Sequence, residues 1–329
     1  MSQPDLSIII VNYNSADYVA ACLRSIAKQT SAVSYETILV DNATYDGCEQ
    51  MLARDYPDAV YIQSDQNLGF ARANNLGAYH ANGDTLLFLN PDTEVKDRAI
   101  ERLHTAIQNL ESPGAVGCRL LNTDGTLQTS CVQSFPTVLN QLLDADLLRR
   151  WFPSSRLWGV VALNSTDVTP AEVEAVSGAC IMLRRKVFEQ VGGFDPDFFM
   201  YGEDLHLCLK ARRAGFHNYY VGTAEVMHHG GGSSTKEQSN FSTIMMRDSV
   251  SRLLEKSRGL SYSRRYRQTQ AAAAVFRLLL LRFLRPAYHA RANMVEWRST
   301  FSKWKAVLRW GLGLKNVGIL ELEARDNLK

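Results

Sequence analysis

Two short stretches of this 329-residue chain place carboxylates where they could act on a ligand. FLNPDTEV ends an apolar run with Pro91 and then presents Asp92. YGEDLHLC places Glu203 and Asp204 at the start of a helical pattern, where the helix dipole favours an ionised carboxylate and hence a base at neutral pH. Each stretch also has a purely structural interpretation. Asp92 could cap a helix near residues 97–110, and the two acids could only stabilise a helix N-terminus.

Alternating strand and helix patterns in the first third of the chain would position Asp92. Apolar runs of strand length predict strands buried on both faces, and apolar residues at helical spacing predict helices between them. In chain order these are strand 6–13, helix 15–28 (capped by Asn14 or Ser15), strand 35–43, helix 46–55, strand 60–65, helix 70–81 and strand 85–90. The order predicts an α/β fold with a mostly parallel, doubly wound sheet flanked by helices.

The carboxyl ends of these strands carry polar residues. Ligands of doubly wound sheets bind beyond the carboxyl ends of the strands. Pro91 cannot donate to a sheet ladder, so it turns the chain at the binding crevice. The sequence therefore predicts that Asp92 faces a ligand. The predicted ends are Tyr13-Asn14, Asp41-Asn42, Asp65 and Asn90-Pro91-Asp92.

Composition describes a globular chain. It is 46% hydrophobic and 9% aromatic, enough for one large core or two modest ones. Six cysteines are scattered without CxxC spacing, mostly inside apolar segments, which favours buried free thiols in a reducing compartment over disulfides or zinc. The N-terminus has no basic start followed by an apolar stretch, so no secretory signal is predicted and a cytoplasmic location is expected.

The formal net charge of +2 hides a strong asymmetry. Residues 1–255 carry 20 Lys and Arg against 30 Asp and Glu (net −10), residues 256–315 carry 14 against one (net +13), and residues 316–329 carry two against three (net −1). This shift predicts a domain at 1–255 followed by a helical, basic, amphipathic region at 256–329.

The basic region is too polar to span a bilayer, since its longest apolar run is 271–276. Four arginines fall within about 140° of one another on a helix. An anionic membrane surface is the expected partner, contact with a second subunit is the alternative, and nucleic acid is not expected. A helical appendage packed on the core is the structural interpretation. The four arginines are Arg267, Arg277, Arg282 and Arg285.

The order of motifs along the chain resembles a known family. IIIVNYN, ILVDNATYDG, NLGFARANNLG and FLNPDTEV, followed by VSGAC, YGEDLHLCLKARRAGF and VMHHGGGSS, resemble the inverting family 2 glycosyltransferases of GT-A fold, most of all their rhamnosyltransferase branch. The resemblance covers about residues 5–235. It implies an enzyme that binds a nucleotide-sugar donor, neutralises the departing diphosphate and removes a proton from an acceptor hydroxyl.

The resemblance implies a nucleotide site along the strand ends. Asp41 would accept the imide N–H of uracil or thymine, Gly69 would let main chain approach the ligand, and Arg72 would contact a phosphate. Backbone groups near Val11 and Tyr13 would help to seat the base. The implied nucleotide-binding set is Val11, Tyr13, Asn14, Asp41, Asp65, Gly69, Arg72, Asn90 and Asp92.

A metal site is implied by the family's Asp-x-Asp signature, in which the last acid binds a cation on the diphosphate. Here the first acid is Asn90, so only Asp92 is anionic. The resemblance adds His228 as the second ligand. The three glycines at 230–232 predict a mobile loop that closes over substrate. Mg²⁺ and Mn²⁺ both suit such a site, and an imidazole shifts the balance toward Mn²⁺.

The acid pair is implied to serve the acceptor. By resemblance Asp204 is the general base, Glu203 is its neighbour in the acceptor site, and Gly178 of VSGAC permits close approach of the acceptor wall. The family often has an acid two residues after the base and an arginine four residues further on. This chain has His206 and Lys210 there, so its acceptor contacts should differ.

These residues predict metal-dependent transfer by a single displacement with inversion. The expected donor is dTDP-L-rhamnose, with a UDP-hexose or UDP-N-acetylhexosamine as alternatives. The expected acceptor is a glycan or lipid-linked saccharide of cell-surface polysaccharide synthesis, met at the inner face of the membrane. Two other classes are weaker alternatives: a nucleotidyltransferase would show a Gly-rich basic loop where this chain has VNYNSADYV, and a silent binding module could dispense with Glu203 and Asp204.

Overall fold

A computed structural model describes residues 3–143, 169–230, 240–290 and 294–314. The chain forms two compact units. Described residues up to 135 and from 169 to 230 form the first, called the sheet unit. Described residues 136–143 and those from 240 onward form the second, called the helical unit.

The strands belong to the sheet unit and follow the predicted order in its first third. In chain order they are β1 (Leu6–Asn12), β2 (Tyr35–Asp41), β3 (Val60–Gln63), β4 (Thr85–Leu89), β5 (Thr93–Val95), β6 (Pro113–Leu121), β7 (Val132–Gln133), β8 (Ala171–Val173), β9 (Ala175–Val176), β10 (Cys180–Arg184) and β11 (His217–His228). The helices of both units are α1 (Ala16–Gln29), α2 (Cys48–Asp55), α3 (Gly69–His80), α4 (Ala99–Asn109), α5 (Val138–Leu142), α6 (Arg185–Gln190), α7 (Glu203–Arg213), α8 (Asn240–Arg258), α9 (Leu260–Ala290) and α10 (Met294–Gly311).

The main sheet has the order β3-β2-β1-β4-β10-β6-β11-β5, and β8 pairs with β11. Strands β3, β2, β1 and β4 are parallel, which confirms the prediction from alternating patterns. β1 and β4 are buried along their whole length, as expected for strands with helices on both faces. β10 then joins the sheet antiparallel to β4 and β6, so the sheet is mixed but mostly parallel.

The parallel strands end together at one edge. Asn12, the last residue of β1, is in register with Asp41 of β2, which is in register with Gln63 of β3. Ser15, one of the two predicted cap residues of α1, occupies the N-cap position, but its side chain makes no capping hydrogen bond. The first helical N–H of α1, that of Ala16, is instead bound by a carboxylate from the loop after β2.

Helices α5, α8, α9 and α10 pack together in the helical unit. Trp310 is fully buried there, and its Nε1 donates to Asp248 Oδ1 at 2.9 Å. Because α8 and α5 belong to this unit, it extends beyond the predicted region 256–329 toward the N-terminus. Within the described ranges, no helix has both the length and the apolar character needed to cross a membrane.

All six cysteines are free and buried in the structure. Burial raises the pKa of the Cys22, Cys48 and Cys208 thiols to about 12, so these thiols are protonated and inert at neutral pH. The predicted burial of free thiols is confirmed.

Candidate active site

Asn12 organises the edge at which β1 and β2 end. It is fully buried, and its Nδ2 lies 3.0 Å from Asp41 Oδ2 and 3.0 Å from Asp46 Oδ1. Asp46 in turn accepts the N–H of Ala16 at 3.0 Å. The side-chain amide of Asn12 therefore links Asp41 to Asp46, the carboxylate that binds the start of α1. Sequence reasoning had named Asn14, not Asn12, as the functional asparagine of this motif. Asn14 is exposed and has a left-handed backbone, with φ of 51°.

Asp41 is buried and heavily hydrogen-bonded by the protein. Its Oδ1 accepts from Thr44 N at 2.7 Å and from Gln63 Nε2 at 3.3 Å. Tyr61 donates to Gln63 Oε1 at 2.6 Å, so a chain of side chains orients the carboxylate. A small open cavity of about 50 Å³ lies beside it. The cavity is lined by Asp41, Tyr45, Asp46, Gly47, Cys48, Glu49, Gln50, Tyr61 and Gln63.

The other predicted nucleotide residues differ in exposure. Val11 is buried, Tyr13 is half-buried, and Asp65 is exposed. Asp65 follows Ser64, whose N–H donates to the carbonyl of Asp41 at 2.9 Å. The structure thus brings these residues to the edge that carries Asp41.

Helix α3 binds the loop that leads to the acid pair. Gly69 has φ of +74°, and a Cβ there would lie 2.7 Å from Phe199 Cδ2. Arg72 Nε donates to the carbonyl of Pro196 at 3.1 Å, and Asn75 exchanges two hydrogen bonds with the backbone of Phe194. The close neighbour at Gly69 is therefore the protein's own loop, and the nucleotide roles of Gly69 and Arg72 stay predictions.

Asp92 faces His228 across the pairing of β5 with β11. The register places His228 opposite Thr93, and His228 Nε2 lies 3.4 Å from Asp92 Oδ1. Asp92 is 7% exposed. Helix α4 begins at Ala99 without a side-chain cap, so the alternative in which Asp92 caps that helix is wrong.

Two neighbours complete the surroundings of His228. Gln128 Oε1 lies 2.9 Å from His228 Nδ1, and Gln128 Nε2 donates to the carbonyl of His228 at 2.6 Å. Asn90 Nδ2 lies 3.4 Å from His228 Nε2, while Asn90 Oδ1 is buried without a hydrogen-bond partner. The second imidazole of the motif, His229, is bound by Glu94 at 2.8 Å, which favours His228 as the ligand.

These side chains fit a divalent cation. Two adjacent ligands of an octahedral ion at about 2.1 Å lie about 3.0 Å apart, close to the 3.4 Å between His228 Nε2 and Asp92 Oδ1. Asn90 Oδ1 adds a buried oxygen that has no partner. Among the described residues, no group of three or more His, Cys, Asp or Glu side chains is arranged so that it could hold a metal ion, so further ligands would come from the diphosphate and water. Of the predicted loop 230–232, only Gly230 lies within the described residues.

The acid pair begins helix α7, as predicted. Gly202, with φ of +79°, precedes the helix. Asp204 Oδ2 accepts from the N–H of Gly178 at 2.9 Å and from Gln133 Nε2 at 3.4 Å, and Oδ1 accepts from the N–H of Leu205 at 2.7 Å. Glu203 is buried, and its Oε2 has no hydrogen-bond partner.

The two carboxyl groups are electrostatically unlike. Burial, and then the charge of Asp204, raise the pKa of Glu203 to about 8, so Glu203 is protonated at neutral pH. Burial also raises the pKa of Asp204, while its N–H donors act in the opposite direction. The three donors favour the ionised form of Asp204 over that of Glu203, whose Oε2 has no hydrogen-bond partner. The helix start was expected to favour an ionised base, and this does not extend to Glu203, whose burial favours the protonated form.

A turn between β9 and β10 connects the acid pair to the loop between β4 and β5, which carries Asn90 and Asp92. The N–H of Gly178 donates to Asp204, and the carbonyl of the next residue, Ala179, accepts from the N–H of Asn90 at 2.9 Å. Asn90 lies two residues before Asp92. The two groups of candidate residues, far apart in sequence, therefore lie on the two sides of one turn.

His206 and Lys210, which depart from the family pattern, both hold the loop before α7. His206 Nδ1 lies 3.2 Å from Asp195 Oδ2, and the His206 ring packs against Phe198. Lys210 Nζ donates to the carbonyl of Gly193. These residues support the loop that α3 also binds.

Sequence reasoning missed three polar residues: Asn12, Gln128 and Gln133. Asn12 stands in the first motif and at the predicted end of β1, so its position was a usable signal. Gln128 and Gln133 lie in a segment without such a pattern. They approach His228 and Asp204 through hydrogen bonds that join residues 100 and 71 positions apart in sequence.

The fold and site define a glycosyltransferase of the GT-A class, and solved structures support the fold. A mannosyltransferase of Pyrobaculum calidifontis, solved with GDP-Man and Mn²⁺, aligns over 98% of this chain and 88% of its own, with a TM-score of 0.56 and 18% identity. The structure of GalNAc-T7 with UDP, GalNAc and Mn²⁺ aligns with a TM-score of 0.55 at 18% identity. It covers 77% of this chain, which spans about half of that enzyme (48%).

Sequence comparison gives the family. Glycosyl transferase family 2 matches residues 7–192, and Glycosyl transferase family group 2 matches residues 127–313. The N-acetylglucosaminyl-diphospho-decaprenol L-rhamnosyltransferase of Mycobacterium tuberculosis is 30% identical over 237 residues, 68% of this chain and 76% of that protein. The rhamnosyltransferase WbbL of Escherichia coli is 28% identical over 239 residues, 68% of this chain and 82% of that protein. The chain belongs to glycosyl transferase family 2, in its rhamnosyltransferase-like branch.

Proposed function

We propose that this enzyme transfers L-rhamnose from dTDP-L-rhamnose to a glycan or lipid-linked saccharide in the synthesis of a cell-surface polysaccharide, with inversion at the anomeric carbon. The observation that carries the transfer chemistry is the turn at Gly178 and Ala179. It is hydrogen-bonded to Asp204 on one side and to Asn90 on the other. This arrangement supports a mechanism in which the base and the diphosphate site lie on the two sides of one turn.

Asp204 acts as the general base. Its ionised form is held by the N–H groups of Gly178 and Leu205, and burial makes it a stronger base than a solvated aspartate. The acceptor hydroxyl gives its proton to Asp204 while its oxygen forms a bond to the anomeric carbon. The bond from that carbon to the diphosphate oxygen breaks, and the nucleoside diphosphate leaves with the electron pair. Glu203, protonated at neutral pH, donates a hydrogen bond in the acceptor site.

Asp92 and His228 would hold Mg²⁺ or Mn²⁺, and Asn90 would face the same place. When bound, the cation supplies positive charge that stabilises the departing diphosphate. The side chains present two ligand atoms 3.4 Å apart, and Gln128 orients the imidazole by binding its other nitrogen. The Mn²⁺ in both structural neighbours is consistent with this assignment.

Asp41 would recognise the base of the donor. Its carboxylate lies on the small cavity at the end of β2, and a carboxylate oxygen suits the imide N–H that thymine and uracil share. Because both bases carry this group, a UDP-hexose or UDP-N-acetylhexosamine is the alternative donor. The names of the M. tuberculosis and E. coli relatives favour rhamnose.

The acceptor is proposed by analogy with the same relatives. The M. tuberculosis protein is named for a diphospho-decaprenol acceptor, which resides in a membrane. We therefore propose that this enzyme works in the cytoplasm as a peripheral protein on the inner face of the cell membrane.

Release of nucleoside diphosphate from a panel of donors tests the proposal. The panel contains dTDP-rhamnose, UDP-glucose and UDP-N-acetylglucosamine, with Mn²⁺ and a saccharide acceptor, and products are identified by mass spectrometry. Asp204→Asn should lower transfer by about a thousandfold or more while leaving donor binding intact. Asp58→Asn is the matched control, because Asp58 is an exposed acid in the turn between α2 and β3. Transfer at the wild-type rate by Asp204→Asn would remove Asp204 from the mechanism.

A further inference from the structure

One face of helix α9 in the helical unit is apolar and exposed to solvent. Phe276, Leu279 and Phe283 are 68%, 63% and 81% exposed. With Val275 and Leu280, they occupy about 140° of the helix surface and about 12 Å of its length. Scattered apolar residues are normal on a surface, but a continuous stripe of large ones marks an interaction site.

Three of the four arginines grouped by the helical projection, Arg267, Arg277 and Arg285, lie on the opposite side of α9. Arg277 lies over the ring of Trp304 at 4.2 Å, and Arg267 lies over Trp310 at 4.8 Å. Arg285 similarly lies over Trp297. These cations pack α9 against α10 through cation–π contacts. Because this side of α9 packs against α10, the apolar side chains on the other side of α9 face solvent.

Exposed arginines border the apolar face. At 100° per residue, Arg282 and Arg264 fall along one edge of the stripe. Arg265 lies in line with the middle of the stripe, nearer the start of α9. The surrounding region, residues 256–315, carries 14 Lys and Arg against a single acid. The surface is thus apolar in the centre and cationic along one edge and toward the start of α9.

We propose that this face of α9, formed by Val275, Phe276, Leu279, Leu280 and Phe283, inserts into the headgroup layer of an anionic membrane. An apolar face with basic borders is the pattern of helices that lie in a bilayer interface. A second copy of the chain is the weaker partner, because two such surfaces would bring like charges together with one acid between residues 256 and 315 to offset them. The inference rests on the peripheral location proposed above and assigns it to named residues.

Vesicle sedimentation of the full chain tests the assignment. The vesicles contain equal parts of phosphatidylcholine and phosphatidylglycerol, with pure phosphatidylcholine vesicles alongside. We expect the double variant Phe276→Ser, Phe283→Ser to bind the anionic vesicles at least about tenfold more weakly than wild type. Tyr79→Ser, which removes an aromatic ring 84% exposed on α3 of the sheet unit, should bind like wild type. Equal binding by the double variant would overturn the proposal.

A fluorescent label provides a second measurement, which replaces only one apolar side chain of the α9 face. Because the six native cysteines are buried, a cysteine introduced as Phe283→Cys can be labelled selectively with an environment-sensitive dye. Its emission should shift to shorter wavelength with anionic vesicles, and a label at Tyr79→Cys should not respond. An unchanged emission at residue 283 would contradict insertion. A shift that appears without vesicles, together with a dimer mass in light scattering, would assign the face to self-association and also overturn the proposal.

Sugar transfer distinguishes this proposal from the function proposed above. With a water-soluble acceptor and no vesicles, the double variant should transfer at the wild-type rate, since the α9 face contains none of the proposed active-site residues. Loss of vesicle binding with normal transfer supports the membrane surface alone. Normal vesicle binding by a wild-type protein that transfers no sugar from any donor would leave the surface in place and defeat the transferase proposal.

Discussion

Gln128 holds His228 through two hydrogen bonds, one to its carbonyl oxygen at 2.6 Å and one to its Nδ1 at 2.9 Å. A proton on Nδ1, donated to Gln128 Oε1, leaves a lone pair on Nε2, which lies 3.4 Å from Asp92 Oδ1. The outer partner of a ligand histidine decides which nitrogen is free and where the ring points. Gln128 therefore acts on the proposed metal site through His228.

Gln128→Ala should raise the Mn²⁺ concentration needed for half-maximal transfer by about 10- to 100-fold. The reason is that the imidazole loses the partner that fixes its orientation and tautomer. Metal titration of nucleoside diphosphate release measures the effect. Gln108→Ala is the matched control, because Gln108 contacts His104 at 3.4 Å on the exposed surface of α4. An unchanged titration midpoint in Gln128→Ala would show that Gln128 does not orient a ligand.

Asn90→Asp restores the first acid of the family's Asp-x-Asp signature. Its carboxylate would replace an amide whose oxygen is buried without a partner and whose nitrogen lies 3.4 Å from His228 Nε2. Because hard cations prefer anionic oxygen ligands, we expect the half-activating Mg²⁺ concentration to fall by about tenfold. Asn109→Asp, at the exposed end of α4, should leave it unchanged. A higher metal requirement in Asn90→Asp would place the cation elsewhere.

Glu203→Gln should change how stability depends on pH. The pKa of Glu203 is about 8 in the folded protein against an ordinary value of 4.5, so between these values the folded state binds more protons than the unfolded state. The free energy of unfolding of the wild type should therefore fall as the pH rises from about 4.5 to about 8, by about 2 to 4 kcal/mol from this group.

The amide of Glu203→Gln cannot ionise, so this part of the pH dependence should disappear. Denaturant unfolding at pH 5 and at pH 8 measures it. Glu189→Gln, an exposed acid next to the end of α6, should keep the wild-type slope. Parallel stability curves for the wild type and Glu203→Gln would mean that Glu203 is already ionised at neutral pH.

Gly69→Ala should destabilise the protein more than an ordinary glycine substitution. Both Gly69 and Gly215 have a positive φ, +74° and +90°, so alanine is strained at each. Only at Gly69 would the new Cβ also meet the backbone and ring of Phe199, whereas open space surrounds Gly215. We expect Gly69→Ala to cost at least about 2 kcal/mol more than Gly215→Ala in the free energy of unfolding. Equal costs would show that the loop carrying Phe199 yields freely.

Local patterns predicted the first third of the sheet unit well. Strand β4 was expected at 85–90 and spans Thr85–Leu89, and the helix expected to start at Glu203 and Asp204 is α7, which spans Glu203–Arg213. Such elements are encoded by short-range periodicity and by the turn residues at their ends. The N-terminus of α1 was less predictable, because its first N–H is bound by Asp46, thirty residues away.

Local sequence patterns predicted the residue types of the candidate site but not the contacts between them. Asp92 and His228 meet only because β5 pairs with β11, and no local pattern encodes a pairing between segments so far apart. The same holds for Gln128, which no motif marked. In the helical unit, the projection of α9 grouped four arginines, but only the tertiary structure shows that three of them, Arg267, Arg277 and Arg285, pack on the rings of α10.

The sequence by itself determined the alternating elements, the carboxylate that follows β4 and the acid pair that starts α7, because these depend on neighbours along the chain. The tertiary structure alone decided that Gly178 binds Asp204, that Glu203 keeps its proton, and that the apolar face of α9 meets solvent. Burial and long-range hydrogen bonds set these properties, and both depend on which surfaces pack together.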